Sequence, residues 1–394
     1  MRLSESVKKL TPELIELRRD LHMHPELGFC EHRTARLVES YLKDIGVEEI
    51  KRVAKTGVLG LIKGDGKGPT LILRADMDAL PVEEENTCSY RSKVKGCMHA
   101  CGHDGHTAVL LVVAKLLCAN RHWIKGNVKL CFQPNEEGAG ALPMINEGAL
   151  DSPKVDACLG LHLWCPLEIG AMAVDPGPVM AGMHHFHVTI KGRGGHTAMP
   201  QQARDPLLAA VDFVQKVQSI QAREIDPLSP TIIVFGSING GTGSNIIPGQ
   251  VELEGTVRYL YDLSKGDERP LERLERILNG VCETCRVQGE ISYGDSHPAL
   301  INDHFMASLV RQAADQVFPG KEKIKSLVSM AGEDFSEFAS RVPSAFYFVG
   351  AGNREKGIVH PHHHPKFDLD EDSLALAVLM QLKCVKGYFS QVKA

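Results

Sequence analysis

Three stretches in the first half of the chain have an unbroken apolar centre and polar residues near their carboxyl end. They are PTLILRADMDALP (69–81), NVKLCFQPNEEGAG (127–140) and VDACLGLHLW (155–164). An unbroken apolar run is typical of a strand that is buried on both faces, as in a parallel sheet covered by helices. We therefore predict three strands of a mostly parallel sheet, with polar residues collected beyond their apolar centres.

Helical patterns lie before and between these strands. Thr11-Pro12-Glu13 has the composition of a helix start, with Thr as N-cap and Pro in the first turn. TARLVESYLKDIG (34–46) predicts a second helix, a long apolar helix is predicted from about Asp104 to Leu117, and a short helix is predicted near GALPMINEGAL (140–150). Strands that alternate with helices indicate an α/β fold.

After Pro178 the pattern changes to strands in which apolar and polar residues alternate. These strands are predicted in HHFHVTIKGRGGHTAMP, PTIIVFGSINGG, QVELEGTVRYL and GEISYGD, and amphipathic helices in DPLLAAVDFVQKVQSI and RPLERLERILNGVCETC. The pattern predicts two helices on a four-stranded antiparallel sheet. From His304 onward, helix and strand patterns of the first type return. We therefore predict an α/β catalytic domain in two parts, 1–178 and 298–394, with an α+β domain inserted at 179–297.

Composition narrows the class of protein. The 394 residues are 43% hydrophobic and 24% charged, with a formal net charge of −5, which argues against a nucleic-acid surface or a polybasic membrane anchor. The longest apolar runs are shorter than the ~20 residues of a membrane span, and the charged N-terminus resembles no signal peptide. Eleven cysteines without framework spacing favour reduced thiols in a cytoplasmic protein. Cys282 and Cys285 form a lone C-x-x-C, for which ordinary helix positions and a metal or redox role both stay open.

Candidate chemistry is concentrated in four places. They are MHACGHDGHTA (98–108), the pair Glu136-Glu137, His162, and VHPHHHPKFD (359–368). Taken singly, each has a plain reading: a buried thiol, a solvated turn, a satisfied histidine or a surface loop. Together they supply thiolate, imidazole and carboxylate, which are the ligands of zinc, cobalt, nickel and manganese sites.

The positions of these residues strengthen the metal hypothesis. Most of them follow apolar strand centres, and in open α/β sheets ligands bind beyond the carboxyl ends of the strands. Glu136 and Glu137 would repel each other unless a cation neutralised one of them, which leaves the other as a base. The apolar helix after Cys101 and His103 would hold both side chains rigidly at the metal.

The motifs taken in order resemble one family along essentially the whole chain. They are RRDLHMHPELGFCEHRTA, ILRADMDALPV, MHACGHDGHTA, QPNEEGAGA, GRGGHTAMP, NIIPGQVELEGTVR, AGEDFS and HHPKFDLDEDSL. The sequence is similar to the di-metal aminoacylase family, which includes N-acyl-amino-acid amidohydrolases, hippurate hydrolases and plant auxin-conjugate hydrolases.

This resemblance implies a role for each residue of the catalytic domain. Cys101 stands at the position of a metal-bridging thiolate, and Glu136 at that of the general base. The further implied metal ligands are His103, Glu137, His162 and His363. His363 is chosen because the ligand in HHPKF is the histidine two residues before the proline, and the neighbouring His360, His362 and His364 are then loop residues.

The resemblance also implies roles for the inserted domain. His196 in GGHTAMP matches a histidine that reaches the active site of a partner subunit and stabilises an oxyanion. Asn245 and Arg258 match substrate-contacting positions, although a turn Asn and a sheet-edge Arg are the plainer readings. The domain is expected to act as a lid, with a hinge near Gly177, and to mediate a homodimer.

Two positions depart from the family pattern. More distant relatives have a histidine ligand two residues before the aspartate of the second motif, where this chain has Arg74. Arginine cannot bind a cation, so His103 is expected to take over that role and Asp76 to support the ligands without binding metal. Asn135 precedes the glutamate pair where a small residue such as Ala is expected.

The expected activity is metal-dependent hydrolysis of the amide bond of small N-acyl-L-amino acids. Two divalent ions per subunit are expected, Mn, Zn, Co or Ni, with Glu136 moving the proton and His196 stabilising the oxyanion. A metallo-carboxypeptidase or dipeptidase on the same scaffold is the alternative enzyme. A non-catalytic metal-binding protein is the alternative from another class, disfavoured because a storage site needs no base beside its ligands.

Overall fold

A computed structural model describes residues 3–263 and 269–392 of the chain. The chain divides into two compact units. The first comprises Met1–Val179, Ile301–Val328 and Asp334–Ala394, and the second comprises Met180–Leu300 and Ser329–Glu333. The lid and dimerisation roles of residues 179–297 remain predictions.

In the described part of the first unit, eight strands form one sheet. In chain order they are β1 (Glu49–Val53), β2 (Gly57–Lys63), β3 (Thr70–Asp76), β4 (Asn127–Gln133), β5 (Ala157–Glu168), β6 (Met172–Ala173), β15 (Ile324–Lys325) and β16 (Ser344–Gly352). Their spatial order is β1-β2-β4-β3-β5-β16-β6-β15. The four central strands, β4, β3, β5 and β16, are parallel to one another. The prediction of a mostly parallel sheet is therefore confirmed.

Helices of the first unit surround this sheet. They are α1 (Leu3–Met23), α2 (His32–Asp44), α3 (His103–Cys118), α4 (Ala141–Asn146), α7 (His304–Val317), α8 (Ser336–Ala339) and α9 (Asp372–Gln391). Every residue of α3 from His103 to Ala114 is buried. A helix that is buried on all sides cannot shift without disturbing the core, so the loop before it has a fixed end.

The start of α1 differs from the prediction. Thr11-Pro12 was expected to begin the helix, but α1 already runs from Leu3 and contains Pro12 in its interior. Val7 and Leu14, on either side of the proline, are both buried in the core. Burial of the apolar face on both sides of Pro12 outweighs the loss of one backbone hydrogen bond.

The second unit has the predicted α+β architecture. Its four antiparallel strands are β8 (Gly182–Lys191), β10 (Thr231–Gly240), β12 (Gln250–Tyr259) and β13 (Gln288–His297), in the spatial order β10-β12-β8-β13. Two helices, α5 (Pro206–Ser219) and α6 (Pro270–Cys285), pack against this sheet. The short strands β9 (Gly195–His196) and β11 (Ile246–Ile247) of this unit pair with each other. β7 (Gly177–Met180) and β14 (Leu300–Asn302) also pair with each other, and each contains residues of both units.

None of the helices in the described ranges is both long and apolar enough to cross a membrane.

Candidate active site

Parallel strands bring the candidate residues of the first unit to one edge of the large sheet. β3 ends at Asp76, β4 ends just before the Glu136 turn, and His162 lies on β5. Gly102, with a φ of +91°, turns the chain from Cys101 into the first residue of α3, His103. This backbone conformation is one that glycine adopts without strain. Cys101 and His103 therefore enter the site from a fixed helix end.

Cys101 lies at the centre of two groups of metal-binding side chains. Its Sγ is 3.5 Å from Nε2 of His162 and 3.9 Å from Nδ1 of His362. Ligand atoms of Cys101, His103 and Glu137 also lie within 4.8 Å of one another. One thiol is thus shared by two donor groups, as a thiolate between two cations would be. Burial raises the pKa of the Cys101 thiol, so a nearby positive charge is needed to hold the thiolate at neutral pH.

Hydrogen bonds fix the orientation of His162. Its Nδ1 donates to the backbone carbonyl of Leu163 at 2.9 Å, so the lone pair of the neutral ring is on Nε2, which faces Cys101. Burial holds the pKa of His162 well below its usual range, which keeps the ring neutral. A neutral imidazole with a free lone pair is the form that binds metal.

His103 is oriented in the same sense. Its Nδ1 donates to the backbone carbonyl of Asp78 at 2.9 Å and lies 3.2 Å from Oδ1 of the same residue. Its Nε2 is buried and has no hydrogen-bond partner within residues 3–263 and 269–392. Although burial alone would lower the pKa of His103, the charges of Asp76 and Cys101 raise it well above its usual range. The pocket therefore favours a positive charge at this nitrogen, which a divalent cation would supply.

His363 lies against Glu137, the predicted carboxylate ligand. Its Nε2 is 3.1 Å from Oε1 of Glu137, and its backbone N–H donates to the carbonyl of Ala100 at 2.8 Å. Hydrogen bonds to Cys101 and Glu137 raise the pKa of His363 to about 10. Its φ of +66° is a strained conformation for a histidine, and such strain is concentrated at functional sites.

The glutamate pair sits on a short turn after β4, and carboxylates hold the turn by its backbone. The N–H of Asn135 donates to Glu31 at 2.9 Å, and the N–H of Glu137 donates to Asp78 at 3.1 Å. The side chain of Glu136 is 11% exposed, and its Oε2 is 3.9 Å from Nε2 of His103. Glu136 thus lies at the edge of the donor cluster, where a base for a water molecule would be required.

Asn135 has a local explanation. Its φ is +51°, in the left-handed region that asparagine tolerates better than most residues. Its side-chain amide donates to the carbonyl of Gly138 at 2.7 Å, which closes the turn around Glu136. A small residue such as Ala would lack this bond, so the departure from the family pattern is part of how this chain builds the turn.

The structure also places Asp78, which the sequence analysis did not name, beside the candidate ligands His103 and Glu137. Asp78 contacts both His103 and the backbone of Glu137. Asp76 instead accepts hydrogen bonds from His106 Nδ1 and Arg74, both at 2.6 Å, and is 3.8 Å from His103 Nε2. The signal in the sequence is a second carboxylate two residues beyond the end of β3, where polar residues are expected to collect.

Four further histidines of the candidate stretches have contacts that bear on their roles. The Nε2 of His106 accepts the N–H of Leu163 at 2.9 Å, and its Nδ1 donates to Asp76, so neither nitrogen is available to a metal. His362 was expected to be an ordinary loop residue, but its ring lies beside Cys101. His360 and His364 stack on each other with ring centres 4.4 Å apart, as loop residues would.

In the second unit, His196 and Asn245 line one cavity of about 620 Å³. His196 is on β9, which pairs with β11 directly after Asn245. The Nδ1 of His196 accepts the N–H of Ala198 at 3.0 Å, so the neutral ring carries its proton on Nε2. Arg258 is not one of the described residues that line this cavity. Its NH1 donates a hydrogen bond to the backbone carbonyl of Met330 at 2.9 Å.

Comparison with known proteins places this geometry in context. The sequence model described as Peptidase family M20/M25/M40 matches residues 72–386. The chain is 37% identical over 387 residues to Thermostable carboxypeptidase 1 of Saccharolobus solfataricus, covering 96% of each protein. It is 38% identical over 373 residues to N-acetyl-L-cysteine deacetylase of Bacillus subtilis, covering 94% of this chain and 87% of that protein.

A solved structure is similar along nearly the entire chain. It is the YXEP protein of Bacillus subtilis, described as a dinuclear metal binding peptidase from the M20 family. The TM-score is 0.84 at 32% identity, covering 98% of this chain and 100% of that one. The resemblance found in the sequence motifs is confirmed at the level of the family. The chain belongs to peptidase family M20/M25/M40.

Proposed function

We propose that this protein hydrolyses the amide bond of N-acyl-L-amino acids, adding water to release a carboxylate and a free amino acid. The observation that carries the proposal is Glu136, an acid kept beside a donor cluster that already contains a second glutamate, Glu137. A site that only stored metal would need no such neighbour. The relative named N-acetyl-L-cysteine deacetylase supports the same class of substrate.

Two divalent cations, Mn, Zn, Co or Ni, are proposed as cofactors. Cys101 would be shared between them, and the other ligands would be His103, Glu137, His162 and His363. The buried Nε2 of His103, which has no hydrogen-bond partner in the described part of the chain, and the raised pKa of His363 both support cations beside these side chains. When bound, such cations lower the pKa of water and polarise a carbonyl group.

The protein's own side chains then handle the proton and the developing charge. Glu136 accepts the proton of the attacking water and passes it to the leaving nitrogen, so one carboxylate serves as base and then as acid. His196, with its proton on Nε2, is suited to donate a hydrogen bond to the oxyanion. We propose that it does so in the neighbouring subunit of a homodimer, with the inserted domain acting as a lid.

Substrate recognition is proposed for Asn245 and Arg258, whose amide and guanidinium groups suit the carboxylate of an amino acid. All eleven cysteines are free, which supports a reducing compartment and hence a cytoplasmic location.

A metallo-carboxypeptidase is the second candidate, because relatives 37% and 36% identical are named carboxypeptidases. The two activities differ in the acyl group that the enzyme accepts. An aminoacylase accepts substrates with a small acyl group such as acetyl or benzoyl. A carboxypeptidase accepts a peptide and releases the C-terminal amino acid of that peptide.

A substrate panel separates these functions. The protein is stripped with a chelator, reloaded with each metal, and assayed with N-acetyl and N-benzoyl amino acids, with benzoylglycyl-phenylalanine and with unblocked dipeptides. Faster release of the free amino acid from N-acetyl and N-benzoyl amino acids than from the peptide substrates supports the proposal. Faster release of phenylalanine from the blocked dipeptide supports the carboxypeptidase, and no metal-dependent hydrolysis in any arm would reject both.

A further inference from the structure

The ring of His362 is held rigidly beside Cys101. It is packed between Trp164, with ring centres 4.5 Å apart and planes at 31°, and Phe367, with ring centres 5.0 Å apart and planes at 39°. The ring of His162 meets it edge-on at 5.0 Å. Aromatic contacts on several sides leave the imidazole little freedom to rotate, so the positions of its two nitrogens are well defined.

Hydrogen bonds identify which nitrogen of His362 carries the proton. The backbone N–H of Cys165 donates to Nε2 of His362 at 3.3 Å, so Nε2 must present its lone pair. An imidazole ring carries a proton on at least one of its two nitrogens. That proton is therefore on Nδ1, the nitrogen 3.9 Å from Sγ of Cys101.

The ring orientation of His362 is the reverse of that of His103 and His162, the two proposed histidine ligands nearest Cys101. His103 and His162 donate through Nδ1 to backbone carbonyls and direct Nε2 into the site. His362 directs an N–H group at the sulfur. As a metal ligand, His362 would have to lose its only proton while Nε2 still accepted a backbone hydrogen bond, and an imidazolate is a costly species.

We propose, resting on the proposed function, that His362 is a positioning residue whose Nδ1–H donates a hydrogen bond to the Cys101 thiolate. A buried thiolate next to Glu137 faces a like charge, and an N–H donor offsets part of that repulsion. The bond also fixes the direction of the sulfur lone pairs and withdraws electron density from the sulfur. His362 therefore sets how strongly Cys101 donates to the cations.

A pair of isosteric amides tests the proposal. In His362→Asn, the side-chain nitrogen occupies roughly the position of Nδ1 and keeps a donor toward Cys101. In His362→Gln, the amide reaches the position of Nε2, keeps the contact with Cys165 and leaves Cys101 without its donor. His360→Gln serves as the control, because His360 stacks on His364 in the same loop.

Two measurements on the cobalt-loaded protein report on the thiolate itself. The sulfur-to-cobalt charge-transfer band should move to longer wavelength in His362→Gln, because a sulfur without its hydrogen bond is easier to oxidise. The dissociation constant for cobalt, measured by chelator competition, should rise by about 10–100-fold, because the lost orientation of the sulfur and the unrelieved charge of Glu137 outweigh the stronger donation of the sulfur. His362→Asn should keep both values closer to those of the wild type, and His360→Gln should leave both unchanged.

Each other outcome has a definite meaning. An unchanged band and affinity in His362→Gln overturn the hydrogen bond, and so does an equal loss in the Asn and Gln variants. Loss of one of two bound cobalt ions in His362→Gln overturns it as well, because His362 would then be a ligand. A wild-type protein with no charge-transfer band and no bound cobalt would reject the proposed function, which the other outcomes leave intact.

Discussion

The Nε of Arg18 on α1 lies 2.8 Å from Oδ2 of Asp104 on α3, and both side chains are fully buried. Asp104 directly follows the candidate ligand His103. The guanidinium of Arg18 also contacts Asp368 at 2.9 Å and Glu371 at 3.4 Å, in the segment that leads into α9. One arginine thus joins three distant parts of the chain behind the candidate site, which gives a physical reason for the N-terminal motif.

We predict that Arg18→Met strongly destabilises the protein. The substitution keeps much of the volume but leaves the buried carboxylate of Asp104 without its main cation, which typically costs about 3–5 kcal/mol. Arg19→Met is the matched control. Arg19 also contacts Glu371, but it is 42% exposed, and the expected cost is about 1 kcal/mol or less. Urea unfolding of the metal-free variants measures both values, and equal costs would contradict the prediction.

Glu136→Gln should keep its metal and lose its activity. The amide preserves the shape of the side chain but cannot accept a proton, so the turnover number should fall by at least about 10²–10⁴-fold. Glu137→Gln is the contrasting variant and should lose bound metal, because it removes a ligand. Metal content by elemental analysis and turnover on the best N-acyl substrate decide the matter. Near-normal turnover in fully loaded Glu136→Gln would show that another group is the base.

Cys101 should be protected from alkylation by metal and become reactive after chelation. A thiolate bound to a cation is a poor nucleophile, and removal of the cation frees it. Cys97 is the internal control, since it is also buried but belongs to neither donor group. Peptide mass spectrometry after iodoacetamide treatment measures both sites in one sample. The assignment fails if Cys101 is labelled at the same rate with and without metal.

His196→Ala should bind its full complement of metal and lose about 10²–10³-fold in turnover, as expected for the loss of one oxyanion donor. If His196 acts across a dimer, mixing this variant with Glu136→Gln should restore activity. A mixed dimer has one site with both defects and one with neither, so equal random mixing should give about a quarter of wild-type activity. Subunit exchange confirmed by mass without any return of activity would place His196 in its own subunit's site or outside catalysis.

The pattern of hydrophobic and polar residues along the chain was sufficient to predict most of the main helices and strands. The apolar runs of β3, β4 and β5 and the apolar run Ala108–Ala114 of α3 are local features, and the structure confirms each of these elements. The predicted start of α1 was wrong, because Pro12 is a strong local signal for a helix start and the packing of the whole helix overrides it. Such an override depends on the core that α1 meets, which no local pattern contains.

For the candidate site, the sequence by itself determined which kinds of side chain gather at the end of the sheet, because residue type and spacing after a strand are local. Only the tertiary structure decided which nitrogen of each histidine faces Cys101. The partner of His103 is 25 positions away in the chain, and His362 is 261 positions from the thiol it faces. Proton positions on a buried imidazole follow from such distant neighbours, because a ring with one proton must match both of its hydrogen-bond partners at once.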